Sequence, residues 1–135
     1  MTGISNLNEL LNSMKPKLVS ENLVFLSVSE KQYKELKISP IMIFREIEGI
    51  TVIIQKKIAL KNSLCHSNAT TWSMITLTVH SSLEAVGFIA EITKYLVKFG
   101  VSTNVISAFY HDHLFVQSEE TEKVLKLLEK FPLKK

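Results

Sequence analysis

One cysteine, Cys65, stands among 135 residues. A lone thiol closes no internal disulfide, so a stapled secreted scaffold is excluded and a reduced, cytoplasmic setting is expected. Four glycines and three prolines leave no material for long linkers or a collagen-like repeat. The chain has no window near the roughly 18 apolar residues that a membrane span needs. Residues 1–14 lack the basic stretch and apolar run of a secretory signal, so the sequon at Asn68 has no expected consequence. Arginine is almost absent, with Arg45 alone among sixteen basic residues. Specific nucleic-acid binders concentrate Lys and Arg on one face and favour Arg for bidentate contacts. Here residues 1–70 carry nine Lys/Arg against six Glu, and residues 71–135 carry seven of each sign. This diffuse +3 predicts solubility, not nucleic-acid or membrane binding. Also missing are a P-loop, a dinucleotide fingerprint, a nucleophile elbow and a metalloprotease helix, which points away from an enzyme.

What is present is hydrophobic patterning. With 46% hydrophobic residues the chain folds as one domain or two very small ones. Residues 6–14 read as a short helix capped by Asn6, with Leu7, Leu10, Leu11 and Met14 as its stripe. Leu18 and Val19 suggest a short strand, and residues 22–28 a buried one. Residues 29–37 suit a short helix. Two β-branched runs, 41–47 and 50–55, flank Glu48-Gly49 as in a hairpin. A short helix is expected at 56–62 and a possible strand at 64–67.

The second half is clearer. Residues 72–79 predict a strand. Ser81-Ser82-Leu83-Glu84 reads as a capping box, opening a helix that runs to Phe99 and stops at Gly100. Ala85, Ile89, Ile92, Leu96 and Phe99 form its apolar stripe. Residues 101–109 and 113–117 predict two strands joined at His111-Asp112. Ser118 is expected to cap a last helix ended by Pro132, with Val124, Leu127, Leu128 and Phe131 buried. The order β-α-β-β-α is a ferredoxin-like unit lacking its fourth strand.

The halves repeat. Residues 24–28 align with 75–79 at an offset of 51, and residues 42–55 align with 104–117 without gaps at an offset of 62. The 11-residue difference falls on the first helix, shortening it by about three turns in the first copy. The expected fold is therefore α+β: two tandem βαββαβ units, 1–70 with a leading helix and 71–135, with antiparallel sheets and helices on one face.

Three segments carry a resemblance. They are Ile75-Thr76-Leu77-Thr78-Val79-His80-Ser81-Ser82-Leu83-Glu84-Ala85-Val86-Gly87, then residues 100–105 around Asn104, then residues 110–116. The chain resembles small bacterial proteins made of two tandem ACT-type domains. It is also similar to the ACT repeats of aspartokinases and arginine sensors. The resemblance implies a non-catalytic regulatory module that binds an amino acid or similar metabolite, without a cofactor or metal. It also implies a homodimer whose interface completes the pocket. Its ligand loop corresponds to residues 80–87, so the implied contacts are His80, Ser81, Ser82, Leu83, Glu84, Val86 and Gly87, with Asn104 after the helix. The family loop often carries Asp or Asn with Pro-Gly at the helix start, whereas Gly87 stands deeper here. The first copy has Ser29-Glu30 and no matching glycine.

The residues themselves fit a zwitterion. A helix start at Ser81 offers amides to a carboxylate, and Glu84 offers a charge to an ammonium group. The plainer alternative is that Ser81 and Glu84 only cap a helix. His111 and His113, two apart on a strand, share a face and with His80 or His66 suggest a metal. A polar hairpin tip is the better explanation of them. A protein-interaction module using exposed sheet edges is the remaining alternative.

Overall fold

The computed structural model describes residues 6–131. Helix α1 (Leu7–Ser13) opens the described chain, and Asn6 caps it by accepting from the Glu9 amide at 2.9 Å. Strand β1 (Pro16–Val28) follows, then α2 (Glu30–Glu35), β2 (Met42–Arg45), β3 (Ile50–Gln55) and α3 (Lys56–Lys61). The second half contains β4 (Trp72–Leu77), α4 (Phe88–Val97), β5 (Asn104–Ser107), β6 (Asp112–Gln117), a 3₁₀ turn (Ser118–Glu120) and α5 (Thr121–Lys130). None of the described helices is long and apolar enough to cross a membrane.

The chain divides into two compact units. One is a single segment, Glu21–Trp72; the other joins residues 6–20 with residues 73–131 of the described chain. The sequence-based division at 70/71 differs from this for α1 and the start of β1. Strand β1 is itself divided between Ser20 and Glu21. It also replaces two expected strands with one, since Leu18-Val19 and 22–28 run together.

In the inner unit the strand order is β2-β3-β1. Strand β3 is antiparallel to both neighbours, with Val24 opposite Ile54 and Phe44 opposite Thr51. Val24, Val28, Ile50, Val52 and Ile54 alternate on one face and are buried with Ala59 of α3. Gly49 closes the β2–β3 loop where space is short. A Cβ there would lie 2.7 Å from Ser27 Oγ and 3.1 Å from the Val28 carbonyl oxygen. The strand expected at 64–67 does not form. Ser63 turns left-handed with φ 57°, and Lys56 Nζ instead takes the Ser67 and Ala69 carbonyls at 2.6 and 3.1 Å.

In the other unit the order is β1-β4-β6-β5. The missing fourth strand of the ferredoxin-like pattern is thus the first part of β1, beside β4. The neighbouring Lys15 carbonyl accepts from the Thr78 amide at 2.8 Å. Helix α1 has only seven residues, and isolated helices below about 12–15 residues are marginal in water. It persists because Leu10, Leu11 and Met14 are buried with Ile75, Leu77, Ile92 and Leu96. Each such burial stabilises by roughly 1.5–3 kcal/mol. Helix α5 presses Val124 and Leu128 onto the same core. Its buried Thr121 hydroxyl donates to Ser73 Oγ at 2.7 Å. Ser118 begins the 3₁₀ turn and does not stand at the cap position of α5, which is Glu120. Pro132 lies outside the described residues.

The duplication is visible in detail. Strands β3 and β6 share one burial pattern, and the pairs Met42–Ile53 and Asn104–Phe115 sit at the same offset of 62.

Candidate functional site

The stretch between β4 and α4 is not a helical start. Helix α4 begins at Phe88, and its N-cap position is Gly87, left-handed with φ 92°. An L residue with a side chain rarely takes that conformation, so the glycine fixes where the helix begins. Residues 82–85 instead form a turn, with the Glu84 amide donating to Ser82 Oγ at 3.0 Å. The expected capping box at Ser81 and Glu84 is therefore corrected. Ser81 is buried, and its hydroxyl donates to Asp112 Oδ2 at 3.1 Å. The apolar stripe turns accordingly: Phe88, Ile92, Tyr95 and Leu96 are buried, and Val97 ends the helix two residues before Phe99.

Gly87 has no side chain to cap α4, and the first intrahelical bond runs from the Glu91 amide to the Gly87 carbonyl at 3.0 Å. The amides of Phe88, Ile89 and Ala90 are left at the positive end of the helix dipole. They border a pocket of about 150 Å³ that is also lined by Ser81, Ser82, Leu83, Ala85, Gly87, Ser107 and Asp112. One wall supplies hydrogen-bond donors and a positive field. The other supplies a buried carboxylate. Among the lining residues there is no Lys or Arg, and Asp112 is the only acid.

Of the residues singled out from the sequence, Ser81, Ser82, Leu83 and Gly87 line this pocket. Glu84 is exposed and outside the lining, so the carboxylate in the pocket is Asp112. Val86 is exposed beside the pocket-lining Gly87. His80 precedes Ser81 and packs its ring 5.2 Å from that of Tyr110. Asn104 is exposed on β5, opposite Phe115, and does not line the pocket. Sequence reasoning missed Phe88, Ile89 and Ala90, because it set the helix cap at Ser81, six residues before the observed Gly87. It also missed Asp112, whose place in His111-Asp112-His113 reads locally as a hairpin turn.

The histidines are dispersed. His113 Nδ1 shares a 2.9 Å hydrogen bond with Thr76 Oγ1, and its ring centroid is 6.3 Å from that of His111. Burial holds the His113 pKa below the usual histidine value; His111 pushes in the same direction and Asp112 opposes. Among the described residues, no three His, Cys, Asp or Glu side chains are placed to hold a metal ion.

The inner unit differs at the equivalent point. Ser29 Oγ accepts from the Gln32 amide at 3.0 Å, and Gln32 Oε1 accepts from the Ser29 amide at 2.9 Å. This reciprocal cap fills the end of α2 with the chain's own side chains. That unit has a separate, open concavity lined by Asn22, Gln55, Lys56, Lys57, Leu60 and Thr71, without a carboxylate.

Comparison with known proteins gives a consistent picture. One family model, described as an ACT domain, matches residues 2–70, and a second with the same description matches residues 70–130. A crystal structure from Vibrio cholerae, described as a protein of unknown function and possible transport protein, is 41% identical. It is covered over 95% of its length by 93% of this chain, with a TM-score of 0.79. A protein from Agrobacterium tumefaciens is 19% identical over 88% of this chain and 89% of its own, with a TM-score of 0.61. An aspartate kinase from Clostridium acetobutylicum, described as an allosteric enzyme, shares the fold at 12% identity and a TM-score of 0.55. There 86% of this chain covers 34% of the kinase. No curated protein matches the chain.

Proposed function

Because this chain belongs to the ACT-domain family, with two such domains in tandem, we propose that it senses a free α-amino acid in the pocket between Gly87 and Asp112. ACT domains are regulatory modules for small molecules, typically amino acids, and are not catalytic. The observation that carries the reading is the pairing of opposite fields in one small cavity. The open N-terminus of α4 suits a carboxylate, and the buried Asp112 carboxylate suits an ammonium group. A volume of about 150 Å³ is of the order that accommodates a molecule of about six non-hydrogen atoms, such as benzene. It therefore holds the amino, Cα, carboxylate and Cβ atoms common to all chiral amino acids. The ligand contacts in this proposal are Ser81, Ser82, Leu83, Gly87 and Asp112.

Signalling follows if the ligand binds two arrangements of the protein with different affinity, since equal affinity shifts no population. Helix α1 is placed to respond: Leu7 Cδ2 lies 3.6 Å from the position a Cβ on Gly87 would take. A thermal-shift screen of the twenty amino acids tests the reading. Stabilisation by at least one, lost in Asp112→Asn, is the expected result. Failure of all twenty, with the folded protein intact, favours a protein-interaction module instead.

A further inference from the structure

Resting on that zwitterion reading, we infer that the ligand is an aromatic or large aliphatic amino acid whose side chain leaves the cavity and lies on a ring row formed by Phe109, Tyr110 and His80. The cavity is filled by the common amino-acid core, so any larger side chain must emerge at its mouth. Apart from Glu84, the exposed large side chains next to the lining residues in the chain are apolar or aromatic. Residues 108–111 form the turn that joins the pocket residues Ser107 and Asp112, closed by the Ala108 amide on the His111 carbonyl at 2.9 Å. At its tip Phe109 and Tyr110 are 62% and 61% exposed, with ring centroids 5.0 Å apart at 70°. Tyr110 continues to His80, next to the pocket residue Ser81. On the loop before α4, Leu83 and Val86 are 64% and 83% exposed.

Turn chemistry does not ask for these residues. Gly, Asn, Asp and Ser suit a tight turn, whereas here two aromatic rings stand more than half exposed and gain only their contacts with each other and with His80. A local rule broken with little local compensation points to a functional contact, and apolar side chains clustered at a pocket mouth mark a binding surface. Rigid rings also give large contact area at small entropic cost. Charge supports the same class. An acidic side chain would find no Lys or Arg among the lining residues, and a basic one would compete with the ammonium group for Asp112.

Isothermal titration of the full chain with Phe, Leu, Ala, Asp and Lys tests this, alongside the double variant Phe109→Ser/Tyr110→Ser, whose changes lie in an exposed turn. The expected result is Phe or Leu binding at least tenfold more tightly than Ala, with the ratio falling to about one in the variant while Ala binds as before. Ala, Asp or Lys binding as tightly as Phe and Leu would sink the side-chain inference and leave the zwitterion reading standing. A variant that keeps the Phe-to-Ala ratio overturns it too. If that variant also converts a dimer into a monomer in sedimentation, the rim belongs to a second copy. Binding of none of the five overturns the side-chain inference, and titration of the remaining fifteen amino acids then decides the zwitterion reading.

Discussion

Ser81 and Asp112, 31 residues apart, meet at 3.1 Å with both side chains nearly out of water. A carboxylate removed from water needs hydrogen-bond donors or a cation, and Ser81 supplies one donor. This pair links the loop before α4 to the start of β6, and it holds the one acid among the pocket-lining residues.

Replacing that acid isolates its role. Asp112→Asn keeps the shape and removes the charge. Hydrogen bonds to charged groups contribute about 1.5–3 kcal/mol, so affinity for whichever amino acid binds is expected to fall at least tenfold. Calorimetric titration reads this directly. Glu84→Gln, outside the pocket, is expected to bind as the unchanged protein does.

Gly87 and Gly100 separate backbone strain from binding. Both have positive φ, 92° and 74°, and neither lacks room: a Cβ at Gly87 meets only Leu7 at 3.6 Å, and one at Gly100 meets nothing within 4 Å. Alanine at either position is expected to cost about 1–2 kcal/mol through its left-handed backbone, measured as a shift in urea midpoint. Only Gly87→Ala is expected to weaken ligand binding as well, because that residue sets the direction of the α4 amides.

The Thr121–Ser73 bond ties α5 to β4. Thr121→Val keeps the volume and strands the Ser73 hydroxyl. The expected loss is about 1–3 kcal/mol by chemical denaturation. Ser73→Ala added to it is expected to return part of that loss, giving a coupling energy in a double-mutant cycle.

His113 predicts an acid-side loss of stability. Its folded pKa lies below the ordinary 6.5, so on acidification the unfolded chain takes up a proton first. The stabilisation is whole above pH 6.5 and declines from there down to the folded-state pKa. Urea melts across that range show the slope, and His113→Gln is expected to flatten it. An NMR titration giving His113 a pKa at or above 6.5 contradicts this account.

The parts legible in the sequence were those decided locally or by repetition. The cap at Asn6 rests on a contact three residues away, and the structure forms it. The gapless alignment of 42–55 with 104–117 is met by identical burial patterns in β3 and β6. The illegible parts were decided at a distance. Ser81 followed by Glu84 satisfies the local rule for a helix start, yet Asp112 takes the serine hydroxyl. The acid of the pocket stands far along the chain from the loop it serves. Nothing within residues 71–131 announces a fourth strand, because that strand comes from the other end of the described chain.

This last feature constrains how the protein is made. Synthesis runs from the N-terminus, so α1 and the first residues of β1 emerge before any of the surfaces that bury Leu10, Leu11 and Met14 exist. Those surfaces, β4 and α4, follow only after the whole of the inner unit has been translated. The nascent chain must therefore hold an apolar segment in waiting while Glu21–Trp72 folds, and then close a loop around it. A gene cut at residue 70 would separate that segment from its only destination, so the second domain, taken alone, would lack part of its own sheet.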